Sequence, residues 1–323
     1  GATLVLFDGN PFHPEPGALW KLAQDVGITV FGTSAGYIAA LQNAGVRPGA
    51  TYDLSPLRAV LSTGSPLSVD GFEYIYSEVK RDLHLASISG GSDINGCFAL
   101  GNPMGPVYAG ELQCRGLAMD VQAFDAEGRP VVDQQGELVC RKPFPSMPIY
   151  FWDDPDGKKY FGAYFGVYPN VWRHGDFIEI NERGGVTIFG RSDATLNPGG
   201  VRIGTSEIYS IVALMPEIVD SVVIGQNWKN DVRVILFVQL PEGEALTEGL
   251  KKKIRDTIRN LASPRHVPAK IVAVPGIPYT LNMKKVEMAV KKVIDGKPVL
   301  NKDALSNPDI LDFYANIKEL QED

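Results

Sequence analysis

Residues 3–89 alternate short apolar, β-rich runs with segments in which apolar residues recur at helical spacing. Strands that alternate with helices in this way indicate βαβ units and a parallel sheet. The loops that follow these strands are rich in Gly, Ser and Thr, and ligands bind at the carboxyl edge of such sheets. The predicted strands are Thr3–Asp8, Ile28–Thr33, Arg58–Ser62 and Leu83–Ser89, and the predicted helices are Ala18–Val26, Ala35–Asn43 and Val69–Lys80.

From residue 110 onward the pattern predicts a β-rich subdomain, because short alternating runs are separated by Gly-containing turns. Its strands are predicted at Gly110–Arg115, Met119–Phe124, Gly136–Cys140 and Phe177–Glu182, with hairpins at Asp125–Pro130 and Glu182–Gly185. Beyond Asp193 a smaller mixed unit is predicted, with strands Ser221–Ile224 and Arg233–Leu240 and helices Ser206–Met215 and Thr247–Leu261. The second of these helices is expected to bury one face, which carries Leu250, Ile254, Ile258 and Leu261.

Composition narrows the class of protein. The chain has 323 residues, 44% hydrophobic and 21% charged, as expected of a soluble globular protein of about two domains. The 38 acidic residues against 31 basic residues give a net charge of −7, which disfavours a nucleic-acid partner. No uncharged apolar run approaches the roughly 20 residues of a membrane helix, so no membrane partner is expected. Three cysteines make no disulfide framework and favour a reducing cytoplasm.

Two Gly-rich loops follow predicted strands and suit a nucleotide. In Gly64-Ser65-Pro66 the glycine lets the backbone lie flat against a planar ligand, and the proline fixes the turn. In Ser89–Asp93 two glycines leave space beside a ligand, Ser92 offers a hydroxyl, and Asp93 offers a hard oxygen ligand for Mg²⁺ beside phosphate. Each motif taken alone also fits an ordinary strand-to-helix loop.

Three further stretches carry charged residues that could serve a nucleotide. Asp176 precedes a predicted strand and could accept two hydrogen bonds from a sugar diol. Residues 189–208 combine a Gly-Gly loop with Arg191 and Arg202, which could contact phosphate or ribose. Lys284 and Lys285 lie at the start of the last predicted helix, where an ammonium group could approach a phosphate or a developing oxyanion.

In this order, the five stretches resemble the adenylate-forming superfamily, which includes the acyl-CoA synthetases, and the resemblance runs nearly from end to end. It implies an α/β fold in which residues 1–192 form the carboxyl-terminal part of a large domain, truncated, with a parallel or mixed sheet and a β-rich subdomain. Residues 193–323 are then a small, mobile α+β domain. The implied enzyme is a ligase whose small-molecule substrates are acetoacetate, ATP and CoA, with Mg²⁺ as cofactor.

The resemblance also implies roles for individual residues. Lys284 is the expected catalytic lysine, Asp193 the hinge, and Asp93 the Mg²⁺ ligand. Gly90 is expected in the acyl pocket, because relatives that use a smaller acid carry Trp there. The remaining expected contacts are Gly64, Ser65 and Pro66 with adenine, Gly91, Ser92 and Asp93 with phosphate, Asp176 and Arg191 with ribose, Arg202 near the phosphates, and Gly199 and Gly200 along the pantetheine tunnel.

Two departures from the family pattern leave alternatives open. Met283 stands where the family usually has Gly, so Lys285 remains an alternative to Lys284 as the catalytic lysine. The Ser/Thr/Gly-rich phosphate loop of the family does not occur in these residues, so we expect a carboxyl-terminal piece of a longer enzyme that is inactive by itself. The alternative function is a non-catalytic module that binds a nucleotide or an acyl adenylate.

Overall fold

The structure is a computed structural model that describes residues 1–194, 196, 198, 203–229, 231–281, 283–299 and 302–322. The chain forms two compact units, of which the first comprises residues 1–89 and 99–114. The second unit comprises residues 90–98 and 115–323. The residues on both sides of the boundary expected at 192/193 therefore lie in the second unit, and that domain boundary stays a prediction.

A three-stranded parallel sheet organises the first unit and confirms the predicted βαβ pattern. Its strand order is β1-β2-β3, and Val30 pairs with Ala59, which pairs in turn with His84. Trp20 is fully buried and stacks on Phe31 at a ring-centroid distance of 4.4 Å. The strands are β1 Val30–Ser34, β2 Ala59–Thr63 and β3 His84–Ser87, and the helices are α1 Ala18–Val26, α2 Ala35–Asn43, α3 Pro48–Thr51 and α4 Val69–Tyr74, which continues as a π-helix over Ile75–Val79.

The strand predicted at Thr3–Asp8 is wrong. Residues 3–8 form no strand, and the Leu4 and Leu6 side chains are 82% and 89% exposed. A strand requires a neighbour that satisfies its backbone hydrogen bonds, and no described strand pairs with this segment. Apolar composition alone therefore gave the wrong prediction here.

The strand predicted at Leu83–Ser89 is interrupted at Ile88, which separates β3 from a short strand that starts at Ser89. This short strand belongs to a second three-stranded sheet of order β4-β5-β6. The strands of this sheet are β4 Ser89–Gly91, β5 Gly96–Leu100 and β6 Cys114–Arg115.

The predicted β-rich subdomain is a five-stranded antiparallel sheet of order β11-β10-β9-β7-β8. The strand predicted at Gly110–Arg115 does not belong to it, because only Cys114–Arg115 forms a strand there and pairs in the sheet of order β4-β5-β6. Both predicted hairpins are present, one between β7 and β8 and the other between β10 and β11. A helix that the sequence pattern did not indicate, α5 Lys158–Tyr164, precedes β10. The strands are β7 Val121–Phe124, β8 Pro130–Val131, β9 Gly136–Cys140, β10 Trp172–Ile180 and β11 Val186–Arg191.

The last part of the second unit is built on a three-stranded mixed sheet of order β12-β13-β14. Because side chains alternate across a strand, Val223 and Leu236 enter one apolar cluster while Ile224 and Phe237 enter another. Both faces of this sheet are thus covered. Its strands are β12 Asp220–Trp228, β13 Asp231–Gln239 and β14 Lys270–Ala273, and the helices are α6 Thr205–Val212, α7 Glu248–Leu261 and α8 Glu287–Ile294, with 3₁₀-helices at Pro264–His266, Lys302–Ala304, Pro308–Tyr314 and Lys318–Leu320.

Helix α7 confirms the predicted amphipathic pattern with one exception. Ile254 and Ile258 are fully buried and Leu250 packs against the same cluster, but Leu261 is 60% exposed because it is the last residue of the helix. Thr247 caps the helix by accepting a hydrogen bond from the Leu250 N–H at 3.2 Å. Among the residues that the structure describes, no helix has both the length and the apolar character needed to cross a membrane.

Candidate active site

The antiparallel pairing of β10 with β11 brings Asp176 directly opposite Arg191. Arg191 Nη1 lies 3.6 Å from Asp176 Oδ1, and Arg191 Nε lies 3.3 Å from Asp193 Oδ1. Burial lowers the pKa of Arg191, but the two carboxylates outweigh this effect and raise the pKa above its usual value. Both expected ribose residues and the expected hinge residue therefore lie together.

The residue between Arg191 and Asp193 is fixed to the sheet by a buried carboxylate. Ser192 Oγ donates to Glu137 Oε1 at 3.0 Å and accepts from Arg173 Nη2 at 2.9 Å. Glu137 lies on β9 and its side chain is 7% exposed. Burial raises the pKa of Glu137, and Arg173, at 3.1 Å, opposes that rise. The backbone is thus held in place up to Ser192.

A largely buried imidazole lies between Asp176 and the end of β4. The His174 side chain is 10% exposed, and its Nε2 lies 3.6 Å from Asp176 Oδ2. A Cβ added at Gly91 would lie 3.1 Å from His174 Cε1, so the glycine admits the ring. Burial lowers the pKa of His174 most strongly, Arg191 and Lys284 lower it further, and Asp176 opposes them. His174 is therefore a neutral imidazole at neutral pH, and the Lys284 ammonium acts on this same ring.

Asp93 lies in the turn after β4, and its carboxylate accepts a hydrogen bond from the Tyr164 hydroxyl. Tyr164 stacks on Trp172 with ring centroids 3.5 Å apart and an interplanar angle of 14°. Burial is the main cause that raises the pKa of Tyr164, so the hydroxyl stays protonated and donates. No sequence motif indicates Tyr164, and only the aromatic density of residues 160–165 could have pointed to it.

Asp93 supplies a single carboxylate, which suits a magnesium ion only if the ion arrives with a nucleotide. Within the described ranges, no group of three or more His, Cys, Asp or Glu side chains could hold a metal ion. Mg²⁺ at nucleotide sites commonly takes one or two carboxylates and completes its shell with phosphates and water. Asp93 is exposed and offers one such carboxylate.

The two adjacent lysines differ in their surroundings. Lys285 Nζ donates to Asp220 Oδ1 and to the Ser221 carbonyl, both at 2.6 Å, and lies 4.4 Å from the Tyr209 ring centroid. Lys284 is exposed, and its ammonium forms no hydrogen bond or ion pair with any residue that the structure describes. The geometry therefore favours Lys284 over Lys285 as the group available to a ligand.

Glycine positions in the expected site have different physical reasons. Gly64 has a φ of 89°, a left-handed conformation that a side chain would strain, and with Ser65 and Pro66 it follows β2 in the first unit. At Gly90 an added Cβ would collide with the Gly96 carbonyl oxygen and lie 2.7 Å from Cys97 Cα.

Gly90 is therefore required by close approach of two strands, and the side-chain direction at residue 90 is filled by backbone. The expected place of Gly90 in an acyl pocket stays a prediction, which this close approach constrains. Gly199, Gly200 and Arg202 lie outside the described residues.

The fold is that of the adenylate-forming ligases. It matches an anthranilate CoA ligase solved in complex with anthranoyl-AMP, with a TM-score of 0.72 over 89% of this chain and 53% of that chain. At 20% identity this match shows the fold alone.

Relatives that are similar in sequence include acetoacetyl-CoA synthetases. The chain is 55% identical over 321 residues to the acetoacetyl-coenzyme A synthetase of Rhizobium meliloti (strain 1021), across 99% of this chain and 49% of that protein. The structure of acetoacetyl-CoA synthetase from Streptomyces lividans matches with a TM-score of 0.89 and 45% identity, over 98% of this chain and 49% of that chain. The chain thus spans about half the length of these relatives, and no family model matches it. The resemblance to acyl-CoA synthetases is confirmed for that half.

We predict that Met283→Gly stabilises the protein. Met283 has a φ of 56°, a left-handed conformation that costs a residue with a Cβ about 1–2 kcal/mol. Glycine removes this strain, but it loses more backbone entropy on folding, which offsets part of the gain. The free energy of unfolding in urea should rise by roughly 0.5–1 kcal/mol. Met288→Gly, within α8, is the matched control and should lower it by about 1 kcal/mol. A decrease for both variants would contradict the strain argument.

We predict that His174→Asn weakens the acid sensitivity of folding. Because the pKa of His174 is lowered in the folded protein, the unfolded chain takes up this proton first as the pH falls below the ordinary value of 6.5. The wild-type protein should therefore lose stability between about pH 7 and pH 5.5, and the variant should lose less over the same interval. Urea unfolding at both pH values measures this difference. Equal losses in the two proteins would show that His174 does not titrate as inferred.

Proposed function

We propose that these residues contribute about half of an acetoacetate–CoA ligase that forms AMP. The observation that carries the proposal is the convergence of Asp176, Arg191, His174 and Lys284 in one unit, on a chain 55% identical to an acetoacetyl-CoA synthetase. The proposed location is the cytoplasm, because three cysteines make no disulfide framework. The proposed substrates are acetoacetate, ATP and CoA.

In the first proposed step, a carboxylate oxygen of acetoacetate attacks the α-phosphorus of ATP, and pyrophosphate leaves with the electrons of the broken bond. Negative charge develops on the phosphoryl oxygens, and the Lys284 ammonium is the mobile cation that would neutralise it. The Asp176 carboxylate would accept hydrogen bonds from the ribose hydroxyls, and Arg191 lies beside it. Mg²⁺ supplies further charge neutralisation at the phosphates when bound, and Asp93 is the residue that would hold it.

In the second proposed step, the CoA sulfur attacks the acyl carbonyl, and AMP leaves with the bonding electrons. We propose that residues 193–323 rotate about Asp193 between the two steps. Ser192 is tied to the buried Glu137, so Asp193 is the first position beyond the fixed backbone. The Arg191–Asp193 pair has side chains that are 48% and 47% exposed, so it is a weak ion pair that can break at little cost.

The acyl pocket remains a proposal that the Gly90 geometry constrains. Because backbone fills the side-chain direction of residue 90, a Trp introduced there would displace β4 before it could narrow a pocket. Any change of acyl preference in Gly90→Trp would therefore have to be separated from loss of folding.

The test of the proposed function is a coupled pyrophosphate assay with ATP, Mg²⁺, acetoacetate and CoA. We expect no turnover by the 323 residues alone, and turnover when they are joined to the segment of the Rhizobium meliloti relative that they do not span. The relative itself is the positive control. If the joined protein binds ATP but releases no pyrophosphate, the alternative of a non-catalytic nucleotide-binding module is favoured instead.

We predict that Lys284→Ala in the joined protein slows adenylate formation by about 10²–10³-fold, because a charge contact made in the transition state is lost. Thioester formation from supplied acetoacetyl-adenylate and CoA should change little. Single-turnover kinetics of the two half-reactions measure both rates. Equal loss in both half-reactions would contradict a role confined to adenylation.

A further inference from the structure

Lys284 lies on a tight turn that we call the lysine hairpin, comprising the described residues 279–281 and 283–285. Tyr279 and Lys285 form an antiparallel bridge that closes the hairpin. Within it the Thr280 N–H donates to the Lys284 carbonyl and the Met283 N–H donates to the Thr280 carbonyl, both at 2.8 Å. Main-chain hydrogen bonds also attach the hairpin to residues 304–306: the Leu281 N–H donates to the Ala304 carbonyl at 3.0 Å, and the Tyr279 carbonyl accepts from the Ser306 N–H at 2.9 Å.

The attachment of the hairpin to the sheet β12-β13-β14 is made by one carboxylate at the first residue of β12. Asp220 Oδ1 accepts from Lys285 Nζ at 2.6 Å, and Asp220 Oδ2 accepts from the Tyr279 hydroxyl at 2.5 Å. These two donors are the residues that pair across the open end of the lysine hairpin. A single side chain thus holds both ends of the hairpin against the sheet.

The surroundings of Asp220 shield its contacts with Lys285 and Tyr279 from water. The Asp220 and Lys285 side chains are 21% and 24% exposed, so the pair is partly desolvated. The Tyr209 ring covers the Lys285 ammonium, and its hydroxyl donates to Glu287 Oε1 at 3.0 Å. Burial, followed by the charge of Asp220, raises the pKa of Tyr279, so this hydroxyl remains a donor.

The direction of Lys284 follows from this anchoring. Successive side chains in extended backbone point to opposite sides, so a Lys285 held against β12 turns Lys284 away from that sheet. The charge of Lys284 contributes to lowering the pKa of His174, which lies beside Asp176. The bonds to residues 304–306 are made by the main chain of the hairpin, whereas Asp220 holds the Lys285 side chain next to Lys284.

We propose that Asp220 is a positioning residue, which holds Tyr279 and Lys285 so that Lys284 faces the nucleotide site. The inference rests on the proposed function for the role of Lys284. It assigns to Lys285 a structural task that the neighbouring lysine does not share. Asp220 itself touches no reacting atom in this scheme.

The first test is amide hydrogen exchange on the 323-residue protein. Asp220→Ala should speed exchange of the lysine-hairpin amides by about tenfold or more, while the core strand β13 keeps its protection. Asp256→Ala, which removes an exposed partner of Arg259 on α7, is the matched control and should leave the hairpin unchanged. Unchanged hairpin exchange in Asp220→Ala would overturn the proposal. Asp220→Asn, which preserves the shape of the side chain, covers the case in which the alanine variant fails to fold.

The second test is kinetic and uses the protein joined to the remaining segment of the Rhizobium meliloti relative. A misplacement of about 1 Å can cost on the order of 10²-fold, so Asp220→Ala should lower kcat for adenylation by about 10- to 100-fold, with the KM for ATP nearly unchanged. Lys285→Met should cause a similar loss. The loss in the double variant should be smaller than the product of the two single losses, because both substitutions remove the contact between Asp220 and Lys285.

The outcomes separate this inference from the function on which it rests. If the exchange test succeeds but Lys284→Ala adenylates normally, the anchoring by Asp220 stands and the proposed role of Lys284 is wrong. If Lys284→Ala is slow while Asp220→Ala shows unchanged exchange and full adenylation, Lys284 keeps its role and the positioning proposal is wrong. A fall in kcat that adds fully in the double variant would also overturn the proposed coupling.

Discussion

The register of β10 against β11 is the constraint on which the candidate site depends. It sets Asp176 opposite Arg191 and places His174 two residues earlier on the same strand, with its ring against the Gly91 turn. Charged side chains that are partly buried need partners, and the paired strands place Arg191 and His174 beside the Asp176 carboxylate. A shift of one residue would turn Asp176 to the other face of the sheet and separate it from these contacts.

The elements that sequence could predict exactly are those that carry their own boundaries. Helix α1 ends at Gly27, whose φ of 65° suits glycine, and α2 begins after Ser34, whose hydroxyl caps the Tyr37 N–H. Both helices were predicted to the residue. Residues 3–8 have the composition of a strand, but no described strand pairs with them. The composition of a segment does not show whether a partner strand lies beside it. Helix α5 lacks a side-chain cap and buries none of its residues, which explains why no periodicity revealed it.

The candidate site shows the same division. The motifs identified Asp93, Asp176 and Arg191, and the structure places the last two in contact. Spacing does not predict that the Tyr164 hydroxyl donates to Asp93, which is 71 residues away in sequence. Nor does it predict that the His174 ring lies between Asp176 and Gly91. The choice between the two lysines was likewise open, since they differ only in what their side chains meet after folding. Such facts depend on tertiary contacts between distant segments, which local pattern does not encode.

The close approach of β4 to β5 limits how this scaffold can be redesigned. A side chain at residue 90 would meet main-chain atoms of β5, so a larger residue there cannot change substrate selectivity without displacing the paired strands β4 and β5. A side chain at residue 91 would instead meet the edge of the His174 imidazole. His174 can be replaced by a smaller residue to make room for it. Variation that pairs Gly91 with His174 is therefore the permissive route to new chemistry in this turn, for a laboratory library or for natural divergence.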